Sequence, residues 1–179
     1  YKRQILGHAQ GLEVILDAAD FIQEQRNIKF IIMGNGPCED ALLEKKNKMG
    51  LTNVSFFNTV PKALMPTVLS AIDFSIIPLK RIDLFKGAIP SKIFESLAMK
   101  KPILLGVEGE ALDLFIKEGK CGLSFTPEDH QDLAEKVLIL SNYKEKREDL
   151  GNNAREYVES KFDRNKIADR FFDLISGLE

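Results

Sequence analysis

The feature that most constrains the fold is a regular alternation of short apolar runs with longer amphipathic stretches. Apolar residues from Leu12 to Ile22 recur at helical spacing, which predicts a helix over residues 10–25. The next run, IKFIIMG (28–34), is rich in β-branched residues and ends at glycine, as is typical of a strand buried on both faces. The chain opens abruptly on YKRQIL, with no initiator methionine and no leading loop, so we expect it to begin inside a first strand of a longer protein.

The same alternation continues to the end of the chain. It predicts strands at 53–58, 73–79, 102–106 and 121–125, and helices at 38–49, 61–71 (interrupted by Pro66), 91–99, after Gly109, 128–141, 144–160 and 163–176. Short βα connections imply parallel strands, right-handed crossovers and helices on both faces. We therefore predict one α/β domain over residues 1–179, with a doubly wound, Rossmann-like parallel sheet of about six strands and a helical tail.

The predicted tail is unusually apolar. Its large apolar residues are Phe162, Ile167, Phe171, Phe172 and Ile175. This is more apolar surface than a lone surface helix needs, so we expect the tail to pack on a partner domain outside this chain.

Composition excludes several classes of function. The net charge of −2 and the pI of about 5.8 give no basic field for nucleic acid. No apolar run approaches the roughly 20 residues that span a bilayer. Cys38 and Cys121 match no metal or redox spacing, and we expect no metal site.

The stretch GNGPCED (34–40) begins like a dinucleotide-binding fingerprint and then departs from it. Glu39 stands at the third glycine position, and the strand 53–58 is followed by no acidic residue for an adenosine ribose. We expect Gly34 and Gly36 to leave backbone amides accessible to an anionic group. The alternative is a tight strand–helix turn that needs only small residues.

The stretch IPSKIFE (89–95) is the strongest candidate binding motif. Ser91 can cap the following helix, Lys92 adds a cation suited to a diphosphate, and the two oxygens of Glu95 suit vicinal hydroxyls. Alternatively, Glu95 serves only the helix dipole. Glu108, beyond the next strand, is expected to matter less.

These residues also carry a resemblance to a known family. GNGP, NVSFFNTVPKALMPTVLSAIDFSIIPL, GAIPSKIFESLAMKKPILLGVEGEALDLFIKEGKCGLSFTPED and LGNNAREYVESKF occur in order from about residue 5 to the end. They resemble the C-terminal half of the retaining GT-B glycosyltransferases of family 4, especially bacterial enzymes of O-antigen and capsular polysaccharide synthesis. The resemblance implies a donor domain that binds a nucleotide-diphosphate sugar, with an acceptor-binding N-terminal domain absent from this chain.

The resemblance also implies roles for individual residues. Glu95 takes the ribose hydroxyls, while Gly34, Gly36, Val60 and Pro61 border the base. Gly7 and Gln10 belong to the loop that follows the first strand. Sugar and diphosphate are flanked by the loop that contains Gly87, Ile89, Pro90, Ser91 and Lys92.

At two positions this sequence departs from the pattern of the family. Gly87 stands where the first carboxylate of an E-x7-E pattern is expected, and Gln10 stands where a phosphate-binding lysine is usual. The phosphate charge must then be met by Lys92, by Lys80 or Arg81, by helix ends or by the missing half. No catalytic residue is identified.

The resulting hypothesis is a glycosyltransferase that moves a hexose or N-acetylhexosamine from a UDP-sugar to a glycan or lipid-linked acceptor. It needs no metal or other cofactor, is cytoplasmic, and reaches the inner face of the plasma membrane through the missing half. The 179 residues alone are expected to be inactive. Two alternatives are a non-catalytic Rossmann-like nucleotide-binding or regulatory module and an NAD-type dehydrogenase domain, which the failed fingerprint disfavours.

Overall fold

The computed structural model describes residues 6–177 and shows an α/β protein with five strands in this range. The strands are β1 (Phe30–Met33), β2 (Val54–Phe57), β3 (Ser75–Pro78), β4 (Ile103–Gly106) and β5 (Gly122–Ser124). β1 pairs with β2, and β3–β4–β5 form a second group, all in parallel. The predicted class is confirmed. The strand count is five rather than six, because the strand predicted at the chain start lies outside the described residues.

The segment that opens the described chain links the two groups of strands. The Leu6 N–H donates to the Asn35 carbonyl oxygen at 3.0 Å, and the Ala9 carbonyl oxygen accepts from the Lys80 N–H at 3.0 Å. Asn35 follows β1 and Lys80 follows β3. Residues 6–9 therefore lie between the carboxyl ends of the two groups.

Every predicted helix is present, most of them with shorter bounds, whereas α7 extends one residue beyond its predicted end. They are α1 (Glu13–Phe21), α2 (Glu39–Met49), α3 (Met65–Ser70), α4 (Lys92–Ala98), α5 (Glu110–Leu112), α6 (His130–Asn142), α7 (Lys144–Lys161) and α8 (Arg164–Ser176). Pro66 lies in the first turn of α3, where a missing N–H costs nothing, and a 3-10 turn (Lys62–Leu64) precedes it. α5 continues into a π-helical turn over Asp113–Glu118.

The core lies on both sides of β4. Leu104 belongs to a cluster formed with α1 and α6, whereas Ile103 and Leu105 belong to a cluster formed with α4 and α7. Successive strand residues point to opposite faces, so this division places helices on both faces of the strand. The doubly wound arrangement is thereby confirmed.

The C-terminal tail divides into a packed and an exposed part. The Phe162 ring lies 5.1 Å from Phe94 and 5.6 Å from Phe115, centroid to centroid, and it is partly buried against the second cluster. α8 has no buried residue, and Phe171 and Phe172 are 64% and 70% exposed. The unusual apolar surface predicted for the tail is therefore a property of α8, whereas Phe162 packs against the core.

Candidate functional site

The candidate site lies where the loops at the carboxyl ends of the strands meet. Hydrogen bonds connect these loops to one another: Leu6 with Asn35, Ala9 with Lys80, and the Arg81 N–H with Glu128 Oε2 at 2.9 Å. This edge is where open α/β sheets hold ligands. The backbone therefore arranges several loops of the sequence-predicted site along a single edge.

A small crevice with a volume of about 10 Å³ lies between the loops that follow β3, β4 and β5. Its charged lining comes from Lys80, Arg81, Lys86 and Glu108, and Glu95 is not among the described residues that line it. Ligand pockets of roughly 300–1,000 Å³ are usual. The crevice therefore encloses room for about one water molecule, far less than a nucleotide sugar needs.

The glycine loop after β1 is packed more tightly than predicted. The Gly34 N–H donates to the Phe57 carbonyl oxygen at 3.0 Å, so the expectation that this amide is accessible was wrong. A Cβ at Gly36 would lie 2.7 Å from the Leu6 carbonyl oxygen. This close approach accounts for the glycine and places Gly36 beside Gly7.

Gln10 and Gly11 lie against the loop that follows β3. Gly11 has φ +55°, and a Cβ there would lie 3.2 Å from Lys80 Cγ. Gln10 is half-buried, and its Oε1 atom is buried without a hydrogen-bond partner among the described residues. The predicted Gln10 position is therefore next to Lys80.

Ion pairs hold the loop that follows β3. Arg81 Nε lies 3.2 Å from Glu108 Oε1, and Lys86 Nζ lies 2.8 Å from Asp83 Oδ1. The hydrogen bond between Lys86 and Asp83 raises the pKa of the lysine and lowers the pKa of the carboxyl. Gly109 lies directly against the same loop, since a Cβ at this position would collide with the Lys86 carbonyl oxygen.

The start of α4 differs from its prediction at Ser91. Its backbone is already helical (φ −60°, ψ −21°) and its side chain makes no capping hydrogen bond, so the predicted cap was wrong. The first turn begins earlier, with the Ile93 N–H donating to the Pro90 carbonyl oxygen at 3.0 Å. Ser91 lies on the surface at this turn.

Lys92 and Glu95 are both half-buried in the first turn of α4. Burial lowers the pKa of Lys92, and the charge of Glu95 acts in the opposite direction. A partly buried cation beside a carboxylate is an arrangement suited to a polar, charged ligand. The structure thus brings these two predicted residues together.

The remaining predicted residues take two places along the edge. Val60 is half-buried and Pro61 exposed beyond β2, whose last residue pairs with Met33 of β1. They therefore lie at the β1–β2 end, with Gly7, Gly34 and Gly36. The segment Gly87–Pro90 runs from a 3-10 turn to α4, with Gly87 exposed and Ile89 and Pro90 half-buried.

The sequence did not identify Glu108 as part of this edge. It follows β4 by two residues, as Arg81 follows β3 by three, and the ends of these strands pair as Pro78 with Gly106. That register was the available signal, because parallel neighbours bring the residues after their carboxyl ends together. Glu108 lies in the crevice rather than apart from it.

The described residues 6–177 contain no group of three or more His, Cys, Asp or Glu side chains placed to hold a metal ion. In the same range, no helix combines the length and the apolar character needed to cross a bilayer.

Comparison with known proteins gives a family match. The family described as "Glycosyl transferases group 1" matches residues 4–157. The chain is 26% identical over 180 residues to the putative colanic acid biosynthesis glycosyl transferase WcaI of Escherichia coli (strain K12), covering 96% of this chain and 41% of that protein. It spans 29–41% of the length of the curated relatives that it matches.

Two solved structures illustrate the similarity of fold. Anabaena Alr3699/HepE in complex with UDP-glucose has a TM-score of 0.80 at 20% identity, covering 98% of this chain and 49% of that chain. The C-terminal domain of the glycosyl transferase group 1 family protein LpcC from Francisella tularensis has a TM-score of 0.74 at 16% identity, covering 89% and 83% respectively. These likenesses show a common fold.

Proposed function

Because the chain belongs to the glycosyl transferases group 1 family, we propose that it is the donor-binding domain of a retaining GT-B glycosyltransferase that uses a UDP-sugar. The transferred sugar is a hexose or N-acetylhexosamine, and the acceptor is a glycan or lipid-linked glycan in cell-surface polysaccharide synthesis. The acceptor-binding domain lies outside these 179 residues. A cytoplasmic location and a reaction without metal belong to the same proposal.

The observation that most supports this function is the convergence of the predicted residues on the carboxyl edge of the strands. Glu95 and Lys92 stand in the first turn of α4, directly after the loop that follows β3. Three further cations, Lys80, Arg81 and Lys86, line the crevice of that loop. A carboxylate for hydroxyl groups at the start of α4, and cations for phosphates on the loop that precedes it, match the chemistry of a nucleoside diphosphate.

The proposed transfer needs charge stabilisation more than acid–base chemistry. As the bond from the sugar to the diphosphate breaks, negative charge grows on the leaving phosphate and the sugar gains oxocarbenium character. Fixed cations stabilise that charge without reorganising during the reaction. Lys80, Arg81 and Lys92 are the residues of this chain that we expect to face the diphosphate.

Two solved relatives support the choice of nucleotide. Alr3699/HepE is described in complex with UDP-glucose. A Staphylococcus aureus TarM variant is described in complex with UDP, and it has a TM-score of 0.79 over 96% of this chain. We carry UDP over to this chain as part of the proposal.

A thermal-shift screen with UDP, GDP, UDP-glucose, UDP-N-acetylglucosamine and NAD tests the proposal. A ligand at one hundred times its Kd stabilises the native state by about 2.7 kcal/mol. For a domain of this size we expect UDP to raise Tm by about 5–10 °C, with GDP and NAD giving little change. Stabilisation by NAD alone would support the dehydrogenase alternative, and no shift with any nucleotide would contradict the proposed function.

A further inference from the structure

The site lacks a phosphate-binding cation at Gln10, and the structure indicates which residue supplies the charge. Gln10 is neutral and stands where the family resemblance expects a lysine. Its Oε1 atom is buried without a partner among the described residues. Because the amide of Gln10 carries no charge, it cannot balance the negative charge of a diphosphate. A cation from a neighbouring residue is therefore needed.

Lys80 is held directly against the Gln10 loop. Its N–H donates to the Ala9 carbonyl oxygen at 3.0 Å, and its Cγ lies 3.2 Å from the position of a Cβ on Gly11. The left-handed backbone of Gly11 and the lack of a side chain there leave room for the lysine stem. The Lys80 side chain therefore leaves the backbone beside Gln10, at the carboxyl edge of the strands.

The neighbouring cations are engaged by carboxylates of the protein. Arg81 pairs with Glu108, and Lys86 pairs with Asp83. By contrast, no described residue forms an ion pair with Lys80, which is half-buried in the crevice. A cation without a protein counter-charge in a partly desolvated site attracts an anion more strongly than one that is already paired.

The backbone of Lys80 is also fixed on both sides. Its own N–H is bonded to Ala9, and the next N–H, that of Arg81, donates to Glu128 Oε2 at 2.9 Å. The side chain thus extends from a fixed stretch of backbone, so binding loses little backbone entropy.

We infer that Lys80 binds the diphosphate of the nucleotide sugar and replaces the lysine that is missing at position 10. The inference rests on the proposed function and adds to it the residue that neutralises the leaving group. Of Lys80 and Arg81, the two cations directly after β3 that the sequence left as alternatives, it selects Lys80, and the role expected of Lys92 is unchanged.

The test compares uridine, UMP and UDP, titrated by calorimetry into the wild-type chain and into Lys80→Met. Methionine keeps the apolar stem against Gly11 and removes the charge. We expect Lys80→Met to weaken UDP about 10- to 100-fold, as for the loss of a charge-assisted contact, and to leave uridine unchanged. Lys80→Arg, which keeps the charge, retains most of the UDP affinity. Lys48→Met, at an exposed position of α2, is the matched control with the same change in net charge.

The double variant Gln10→Lys/Lys80→Met places the positive charge at position 10, where the family resemblance expects a lysine. It should recover most of the UDP affinity that Lys80→Met loses. Equal UDP affinities for wild type and Lys80→Met would overturn the inference. So would equal losses for uridine and UDP, because a structural defect acts on both ligands. If the wild type bound neither ligand, the proposed function itself would fail.

Discussion

Glu95 is the residue whose role most directly separates ligand binding from helix stabilisation. It lies in the first turn of α4, where a carboxylate also favours the helix dipole. We expect Glu95→Gln to weaken UDP and uridine alike by about 10- to 100-fold, because the variant loses a charge-assisted contact to the ribose hydroxyls. Glu135→Gln, on an exposed face of α6, is the control.

Calorimetric titration measures this prediction. A dipole partner alone contributes about 1 kcal/mol or less to stability and nothing to binding. Equal nucleotide affinities for Glu95→Gln and Glu135→Gln would therefore return Glu95 to a structural role. Glu108 does not serve as a control, because it lies in the crevice beside Arg81.

Lys92 is expected to reduce the stability of the free protein while it favours ligand binding. Burial lowers its pKa below the ordinary 10.5, so the charged ammonium is disfavoured in the folded state. This cost is present at neutral pH and disappears as the pH rises through the lowered pKa towards 10.5. We expect Lys92→Met to gain about 0.5–2 kcal/mol at pH 7 and to bind UDP more weakly.

Denaturant titrations at several pH values check the sign of this effect. The stability gain of Lys92→Met over wild type should shrink between neutral and alkaline pH. A variant that is less stable than wild type at pH 7 would show that the contact with Glu95 outweighs the burial of the ammonium.

At the residue scale, sequence patterns identified the types of binding residue but not their contacts. Ser91 looked like a cap, yet its backbone is helical because the turn starts at Pro90. Gly34 looked accessible, yet its N–H is bonded to Phe57. Both outcomes depend on backbone partners, which residue type does not specify. Lys80 became distinguishable from Arg81 only through the ion pair with Glu108.

At the element scale, the strand at 28–34 was predicted to be buried on both faces, and this was wrong because Ile31 of β1 is 50% exposed. Periodicity predicted β4 better, because this strand is buried on both faces. Such strands are continuous apolar runs, and ILLG (103–106) is fully buried. Helix ends were less predictable, as the shortening of 10–25 to Glu13–Phe21 shows. The π-helical turn, in which the Gly119 N–H donates to the Leu114 carbonyl oxygen, has no counterpart in the sequence pattern.

α8 should contribute little to the stability of the described domain. All of its residues are exposed, so its removal uncovers no core. We expect deletion of residues 164–179 to change Tm by less than about 3 °C in a thermal melt. Phe162→Ala, in contrast, should cost about 3 kcal/mol, because the ring packs on Phe94, Phe115 and Tyr157. A large loss of Tm on deletion would show that α8 packs on the domain in solution.

At the scale of the whole molecule, the proposed function separates nucleotide binding from sugar transfer. The proposed donor residues lie along one edge, and the crevice there is smaller than a nucleotide sugar requires. The chain also spans 29–41% of the length of its curated relatives. Under the proposed function, residues outside this chain complete the site and position the acceptor.

The 179 residues alone are accordingly expected to bind UDP and to transfer no sugar. Transfer requires that acceptor and donor are aligned and that water is excluded from the reacting centre. An open edge does neither, since solvent reaches it as readily as an acceptor does. The measurement is incubation with radiolabelled UDP-glucose or UDP-N-acetylglucosamine and a lipid-linked oligosaccharide, followed by separation of labelled product. Parallel calorimetry with UDP establishes that the same preparation binds nucleotide. Labelled acceptor formed by this chain, and lost in Glu95→Gln, would show that the single domain already contains a complete active site.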